Sequence, residues 1–439
     1  MYKRQGFSSA ALNLPIGEGS TVSPTVMKFS TLSTSDQLDA LFPGHASLEA
    51  APEGDLLLRC AMIESRSFII IAFDFNVAGG SMGVRECAQI NYAFDQARTL
   101  QRDVIFMINS GGARVTEGVA AVASYSACLR EAVDATLEGV QVYSLIAKHC
   151  YGGASVLAAS GTDIRITPEA HFSMSGWRTI VKYETELMNR DITSQEVFPV
   201  IDGLSRSTVS YKFMLVEDIS ESIKKSFDSV RAREDIKESL AQLDARLLSG
   251  GNRAVVAGDD AVSTSREMFG KEWDGSGAFF RARECDMSTH VEFAFVSDEF
   301  AKADSVSRLT SAIDSLNHEV SLVTIFVSCQ SHSPFLEDEG QILSEYFSGL
   351  VIAMRKQQRR GVRFQTIVFG DCGGGIFVSL SAGSSKVSVL PSARIKVLPD
   401  DVIKSLGQQP SADRAIDELV SVGLVDEVLP GDWMPTVAM

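Results

Sequence analysis

The sequence predicts an α/β protein in which two βα-repeat domains follow one another. Three observations carry that expectation. Short apolar runs that read as buried strands alternate with segments whose apolar residues recur every three or four positions, the period of a helix. Two of those runs are followed by paired glycines, Gly111-Gly112 and Gly152-Gly153, where a strand must turn sharply into the next helix. The second half then repeats the order of the first: 42 residues separate Ser110 from Gly152, and 45 separate Ser328 from Gly373. Matching order and spacing suggest duplication of one domain, although side-chain identity between the halves is low.

A chain of 439 residues exceeds one ordinary core, which sets an expectation of two or three domains. The break Ser249-Gly250-Gly251-Asn252, extended by Ala257-Gly258-Asp259-Asp260, places a boundary that gives domains 1–250 and 251–439. Hydrophobic content of 45% and charged content of 22% are those of a globular protein. A net charge of −16 argues against non-specific nucleic-acid binding. No apolar run approaches the roughly 20 residues that span a bilayer, and the N-terminus does not read as a signal peptide, so a cytoplasmic protein is expected. The seven cysteines and six histidines are scattered, without Cys-x-x-Cys or His-x-x-x-His. Reduced core cysteines and no bound metal follow.

Taken in order, residues 1–30 read as a loose arm rich in Ser, Gly, Thr and Pro. A short helix is expected over Thr31–Leu41, capped by Ser33 or Ser35. Strands follow at Leu56–Cys60 and Ser67–Phe73, the second apolar throughout, as for a strand covered on both faces. After Gly83, the spacing of Val84, Cys87, Ile90, Phe94 and Ala97 gives a helix one apolar face. Next come a strand at 104–108, a helix at about 116–135, a strand at 142–146, a small-residue helix and a strand at 163–166. Residues 177–215 are irregular with helical character, and 218–248 read as a charged helix. In the second half, strands are expected at 292–296, 322–327, 364–369 and 387–391, with helices at about 299–316 and 337–359. The segments 328–332 and 370–375 read as polar turns.

Glycine turns after strands let the backbone approach a ligand and leave N–H groups aimed outward. Two such turns on neighbouring strands can converge on one oxygen, the geometry that stabilises charge developing on a carbonyl. Chemistry through backbone donors is therefore expected.

The run Asp74 to Gly83, with Gly79-Gly80-Ser81-Met82-Gly83, then Ser110-Gly111-Gly112-Ala113-Arg114 through Gly118, then Tyr151-Gly152-Gly153-Ala154-Ser155, resembles the carboxyltransferase branch of the crotonase superfamily over about 60–220. Residues 164–177 fit as well, with Ser175-Gly176 where the family usually has Gly-Pro and Trp177 in place of that proline. The second half resembles the gamma subunit of biotin-independent malonate decarboxylase through Phe326–His332, Phe369–Gly375 and Val387–Val397, with Ser331 where glycine is expected. The whole chain thus looks like fused beta and gamma subunits, and the resemblance implies two crotonase-like domains of ββα repeats in tandem.

What the resemblance implies is a carboxy-lyase that converts a malonyl thioester on an acyl carrier protein to the acetyl thioester. The thioester hole would be formed by Gly112, Ala113, Gly152 and Gly153, with Gly374 and Gly375 facing it and holding the departing carboxylate. Tyr151, His332, Glu117 and Asp371 are candidates for the proton donor, His332 suiting that task near neutral pH. Gly79, Gly80, Ser81, Met82, Arg114, Glu117, Ser175, Gly176, Gln330 and Asp371 would contact substrate, Arg114 pairing either with its carboxylate or with Glu117. Implied partners are a malonyl-loaded acyl carrier protein, an acyl-carrier transferase subunit and further copies of the chain. The chain itself would bind no cofactor, the phosphopantetheine-type thiol coming from the carrier or CoA. Arg355, Lys356, Arg359, Arg360 and Arg363 would form a basic patch for an acidic carrier, or else favourable charge at a helix C-terminus. The alternatives are a carboxyltransferase subunit of a biotin-dependent acyl-CoA carboxylase and a non-catalytic scaffold that binds a carrier protein. A Met-Lys-Met biotinyl segment and a four-cysteine zinc finger are both lacking, which favours the decarboxylase.

Overall fold

The computed structural model of the protein describes residues 29–63, 65–216, 264–268, 271–276, 278–282, 289–405 and 416–433. The charged segment 218–248 and the boundary at 249–260 lie outside these residues. Helix α1 (Thr34–Leu41) opens the described chain, and the Ser33 hydroxyl caps it by accepting the Asp36 N–H at 3.1 Å. The first sheet holds β1 (Ala46–Ser47), β2 (Leu56–Ile63), β3 (Arg66–Phe73), β4 (Asp103–Ser110), β5 (Val142–Tyr151), β6 (Asp163–Ile166), β7 (His171–Ser173) and β8 (Phe213–Leu215). Their order is β1-β2-β3-β4-β5-β6-β8, with β7 alongside the end of β5. The β1–β2–β3 edge is antiparallel, and every later pairing is parallel. Helices α2 (Val84–Thr99), α3 (Val119–Glu138) and α4 (Gly153–Ala159) are the crossovers, and α5 (Trp177–Glu186), α6 (Ser194–Ile201) and α7 (Gly203–Val209) fill the stretch read as irregular.

The second sheet repeats the plan with β9 (Thr264–Met268), β10 (Lys271–Ser276), β11 (Phe279–Ala282), β12 (His290–Ala301), β13 (Leu322–His332), β14 (Arg363–Gly373), β15 (Lys386–Val389), β16 (Arg394–Lys396) and β17 (Glu427–Val428). Its order is β17-β15-β14-β13-β12-β11-β10-β9, and β16 lies beside the end of β14 as β7 lies beside β5. Its helices are α8 (Ala303–Asp314), α9 (Leu336–Gly340), α10 (Leu343–Arg359), α11 (Gly374–Gly383), α12 (Asp400–Ser405) and α13 (Ile416–Ser421). Strand β3 is buried from Phe68 to Phe73, which explains its unbroken apolar run.

Three expectations are corrected. Residues 328–332 and 370–373 are not turns: β13 and β14 run through them after a register shift. The helix at 337–359 is two helices, broken where buried Ile342 takes φ +61. The three strands at 264–282 gave no apolar alternation strong enough to read.

The halves share one apolar core, in which Leu129 and Val133 of α3 lie in the same cluster as Leu350 of α10 and Phe377 of α11. Arg130 of α3 donates to the carbonyls of Ser381, Ala382 and Ser384, which closes the C-terminal end of α11. The Ser155 and Ser344 hydroxyls meet at 2.6 Å across the same junction. This packing brings the C-terminal ends of β5 and β14 to one cleft.

Candidate functional site

Beyond Ile108 the β4–β5 register shifts so that Ser110 pairs with Cys150, and beyond Val327 the β13–β14 register shifts so that Cys329 pairs with Cys372. Counting from those pairs, Gly152 matches Gly374, Gly153 matches Gly375, and Ala113 matches His332. Gly152 takes φ +59 and Gly374 φ +54, a conformation that side chains disfavour. The spacing read from Ser328 and Gly373 was therefore one residue early at both ends.

In the first half the glycine turns touch. A Cβ on Gly152 would lie 3.3 Å from Gly112 Cα and 3.9 Å from Ala113 N. Gly112, at φ +103, has its N–H on the Ser110 hydroxyl at 3.1 Å. The bridge between Met82 and Ala113 uses the Met82 N–H on Gly112 O and the Arg114 N–H on Met82 O. It leaves the Ala113 N–H out. Gly153 opens α4, so its N–H has no acceptor within the helix. Ala113 and Gly153 both line the cleft. Ala113 and Gly153 thus each offer an N–H to a ligand there, whereas Gly152 donates to Ser173 O at 3.1 Å.

The second half departs from this arrangement at its equivalent position. His332 replaces Ala113, and its Nδ1 accepts the Gly375 N–H at 3.2 Å. The Ser331 hydroxyl lies 3.2 Å from the same nitrogen. Burial lowers the His332 pKa to about 4, so the ring is neutral near pH 7 and its hydrogen sits on Nε2. That corrects the expectation of an acid titrating near neutrality. Tyr151 also loses weight as an acid, because burial pushes its phenol up and its hydroxyl lies 3.0 Å from His171 Nδ1.

The cleft encloses about 1050 Å³, including its open mouth. Of the expected catalytic residues, Ala113, Tyr151, Gly152, Gly153, His332, Gly374 and Gly375 line it, with Gly112 directly behind Gly152. Among the expected substrate contacts, Ser175 and Gly176 line it. Gly79, Gly80, Ser81 and Met82 instead form a layer beneath the first turn: Gly79 O accepts the Gly111 N–H at 2.9 Å, and Gly80 O accepts the Ser110 hydroxyl at 2.7 Å. Arg114 pairs with Glu86 and Asp55 at 3.1 Å and with Glu117 at 3.4 Å, so the choice between substrate and Glu117 falls to Glu117 and its neighbours. Glu117 accepts the Val84 N–H at 2.7 Å, which fixes the start of α2. Asp371 forms a two-bond pair with Arg394, and Gln330 is exposed; neither lines the cleft.

Of the described residues lining the cleft, none carries a formal charge. Valines 122, 156, 378 and 397 and the residues Tyr125, Tyr183 and Phe300 are part of its wall. A carboxylate placed there would be stripped of water without gaining a cation, and two N–H donors aimed at one carbonyl oxygen would stabilise negative charge developing on it more than the neutral carbonyl.

The basic patch is largely paired within the chain. Arg355 holds Asp134 through both carboxylate oxygens, Arg359 reaches Glu138, Lys356 reaches Asp314, and Arg360 donates to Gln357. Arg355 and Arg359 fasten α10 to α3. Among the described residues, no group of His, Cys, Asp and Glu is placed to hold a metal, and no helix is long and apolar enough to cross a membrane.

Sequence reasoning missed Glu339. It is fully buried, and burial raises its carboxyl to about 7. In the sequence it sits in the acidic run Glu337-Asp338-Glu339, which reads as a solvated face.

Residues 61–219 match the family described as "Carboxyl transferase domain". The methylmalonyl-CoA carboxyltransferase 12S subunit of Propionibacterium freudenreichii subsp. shermanii is 32% identical over 125 residues, 28% of this chain and 23% of that protein. The mitochondrial propionyl-CoA carboxylase beta chain of Sus scrofa is 34% identical over 137 residues, 31% of this chain and 24% of that protein. The chain thus matches about a quarter of the length of these curated relatives. A chain of a Pseudomonas malonate decarboxylase hetero-tetramer in complex with malonate is similar at a TM-score of 0.41 and 19% identity, over 50% of this chain and 92% of its own. Residues 61–219 thus match a carboxyl transferase domain, and the described chain is an α/β fold with two sheets.

Proposed function

We propose that the chain performs carboxyl transfer at the α-carbon of an acyl thioester, as one component of a biotin-dependent acyl-CoA carboxylase. The supporting observation is the pair of unengaged N–H groups on an uncharged cleft, Ala113 and Gly153, both within the residues that match a carboxyl transferase domain. The thioester oxygen would sit on those donors. As the N–C bond of carboxybiotin supplied by a partner breaks, the freed ureido group would take the α-proton, and the enolate so formed would attack the released carboxyl carbon to make the C–C bond. In reverse, a malonyl-type thioester gives up its carboxyl group to biotin. The curated relatives are a carboxyltransferase and a carboxylase chain, which favours this reading over the decarboxylase.

A second reading has one observation of its own. His332 occupies the Gly375 N–H, so the second half lacks one of the donors that a departing biotin ureido oxygen would use. Loss of CO2 without biotin, from a malonyl group on an acyl carrier protein, needs only the first-half donors. The enolate would then take a proton from water. Either reaction is expected to need a thioester carrier, and the first also a biotin-bearing partner; we also propose assembly into oligomers.

The test is mass spectrometry of malonyl-CoA and malonyl-acyl carrier protein incubated with the purified chain, with and without free biotin. Loss of the carboxyl group only with biotin supports transfer, and equal loss without it supports the decarboxylase. No loss in either arm, with the protein folded, overturns both and leaves a carrier-binding scaffold.

A further inference from the structure

The loop Met174-Ser175-Gly176 lies between the two glycine turns and lines the cleft. Met174 O would be 3.8 Å from a Cβ on Gly152, and Met174 Cε 2.7 Å from a Cβ on Gly375. The loop belongs to the first half, yet its amides are held by the second. Glu339 accepts the Met174 N–H at 3.0 Å on one carboxylate oxygen and the Ser175 N–H on the other. Arg206 closes the frame: it donates to Phe172 O at 2.8 Å and to Glu339 O at 2.7 Å, and its Nη2 lies 4.0 Å from the carboxylate. Both side chains are fully buried.

We infer that Glu339 is a positioning residue for the reaction, with its carboxylate setting the loop against the Gly152 turn and thereby fixing where the Gly153 N–H points. The inference rests on reading the cleft as the acyl-thioester site. The Glu339 carboxyl group offers one oxygen to each of two adjacent N–H groups, and a carboxamide of the same shape has only one oxygen to offer. Glu339→Gln therefore keeps the volume but sets an NH2 group against one backbone donor. Glu339→Asp keeps both acceptors on a stem one methylene shorter.

The test uses the full chain and these two variants. Three quantities are measured: hydrogen exchange of the Met174 and Ser175 amides, turnover of malonyl-CoA with and without biotin, and thermal melting. In Glu339→Gln, exchange of these two amides is expected to rise and kcat to fall, each by about tenfold or more, the effect of losing a charged acceptor. KM should stay within about twofold, because the loop acts on the transition state. Glu339→Asp should recover part of kcat. Unchanged kcat in folded Glu339→Gln, or a change confined to KM, overturns the inference. If the wild-type chain turns over no thioester, the cleft's proposed function fails on its own. Exchange then decides the clamp, and unchanged protection in Glu339→Gln overturns it.

Discussion

His332 Nδ1 accepts the N–H of Gly375, and this bond separates the two halves of the duplication. At the equivalent place in the first half stand Ala113, whose methyl group cannot reach, and Gly153, whose N–H is left to a ligand. One copy keeps its donor open and the other closes it with its own side chain. Replacing His332 by Ala should reopen the second donor. In a biotin-dependent reaction, kcat is expected to hold or rise in the fraction that stays folded. A fall of about a hundredfold or more would assign His332 a direct part in catalysis. Turnover normalised to folded protein is the measurement.

The same histidine should tilt the pH dependence of stability. Its folded pKa, about 4, lies below the ordinary value of 6.5, so the unfolded chain binds the extra proton between those values. The stability it contributes is complete above about 6.5 and is lost as pH falls towards 4, on the order of 3 kcal/mol in all. Glu339 runs the other way: raised from 4.5 to about 7, it contributes stability that is full below 4.5 and lost as pH rises through 7. The two slopes oppose each other between about pH 4.5 and 6.5. Urea melts of wild type and His332→Gln at pH 4.5 and 7 should show the gap widening with pH.

Arg114 should matter for stability before it matters for chemistry. It faces Glu86, whose side chain is 1% exposed, together with Asp55 and Glu117. Arg114→Met leaves that buried carboxylate without its cation, which costs about 3 kcal/mol. Thermal melting should show a large drop. A variant as stable as wild type but unable to bind thioester would return Arg114 to the substrate.

Arg355 tests the basic patch. Its guanidinium holds Asp134 across the junction of the halves and is only about one-fifth exposed. Arg355→Ala is expected to cost about 2 kcal/mol, the value of a charge-assisted hydrogen-bonded pair. It should leave KM for a carrier-bound thioester within about twofold of wild type. A large rise in that KM with unchanged stability would restore the docking role.

Paired glycines after apolar runs located both turns, because a left-handed backbone and close packing demand glycine locally. The role of Arg114 was not legible, since its partner Asp55 is 59 residues away and the ion cluster exists only once β4 meets the Gly79–Met82 layer. Likewise β13 and β14 extend past their apolar runs because each continues after a register shift, a property of the pairing and not of one strand. Glu339 was hidden among acidic neighbours, and only the docking of one half on the other buries it.

In the proposed reaction the Ala113 N–H stabilises the thioester oxygen. Replacing Ala113 by lactic acid, which turns that one amide into an ester, deletes the hydrogen and keeps the methyl group and the chain path. The Met82–Ala113 bridge does not use this N–H and only its Gly112 carbonyl, which accepts the Met82 N–H, becomes a weaker acceptor, so the fold should hold. The account predicts a fall in kcat of about 10²- to 10³-fold, with melting close to wild type. An unchanged kcat would contradict it, and the developing charge would then have to be held elsewhere in the cleft.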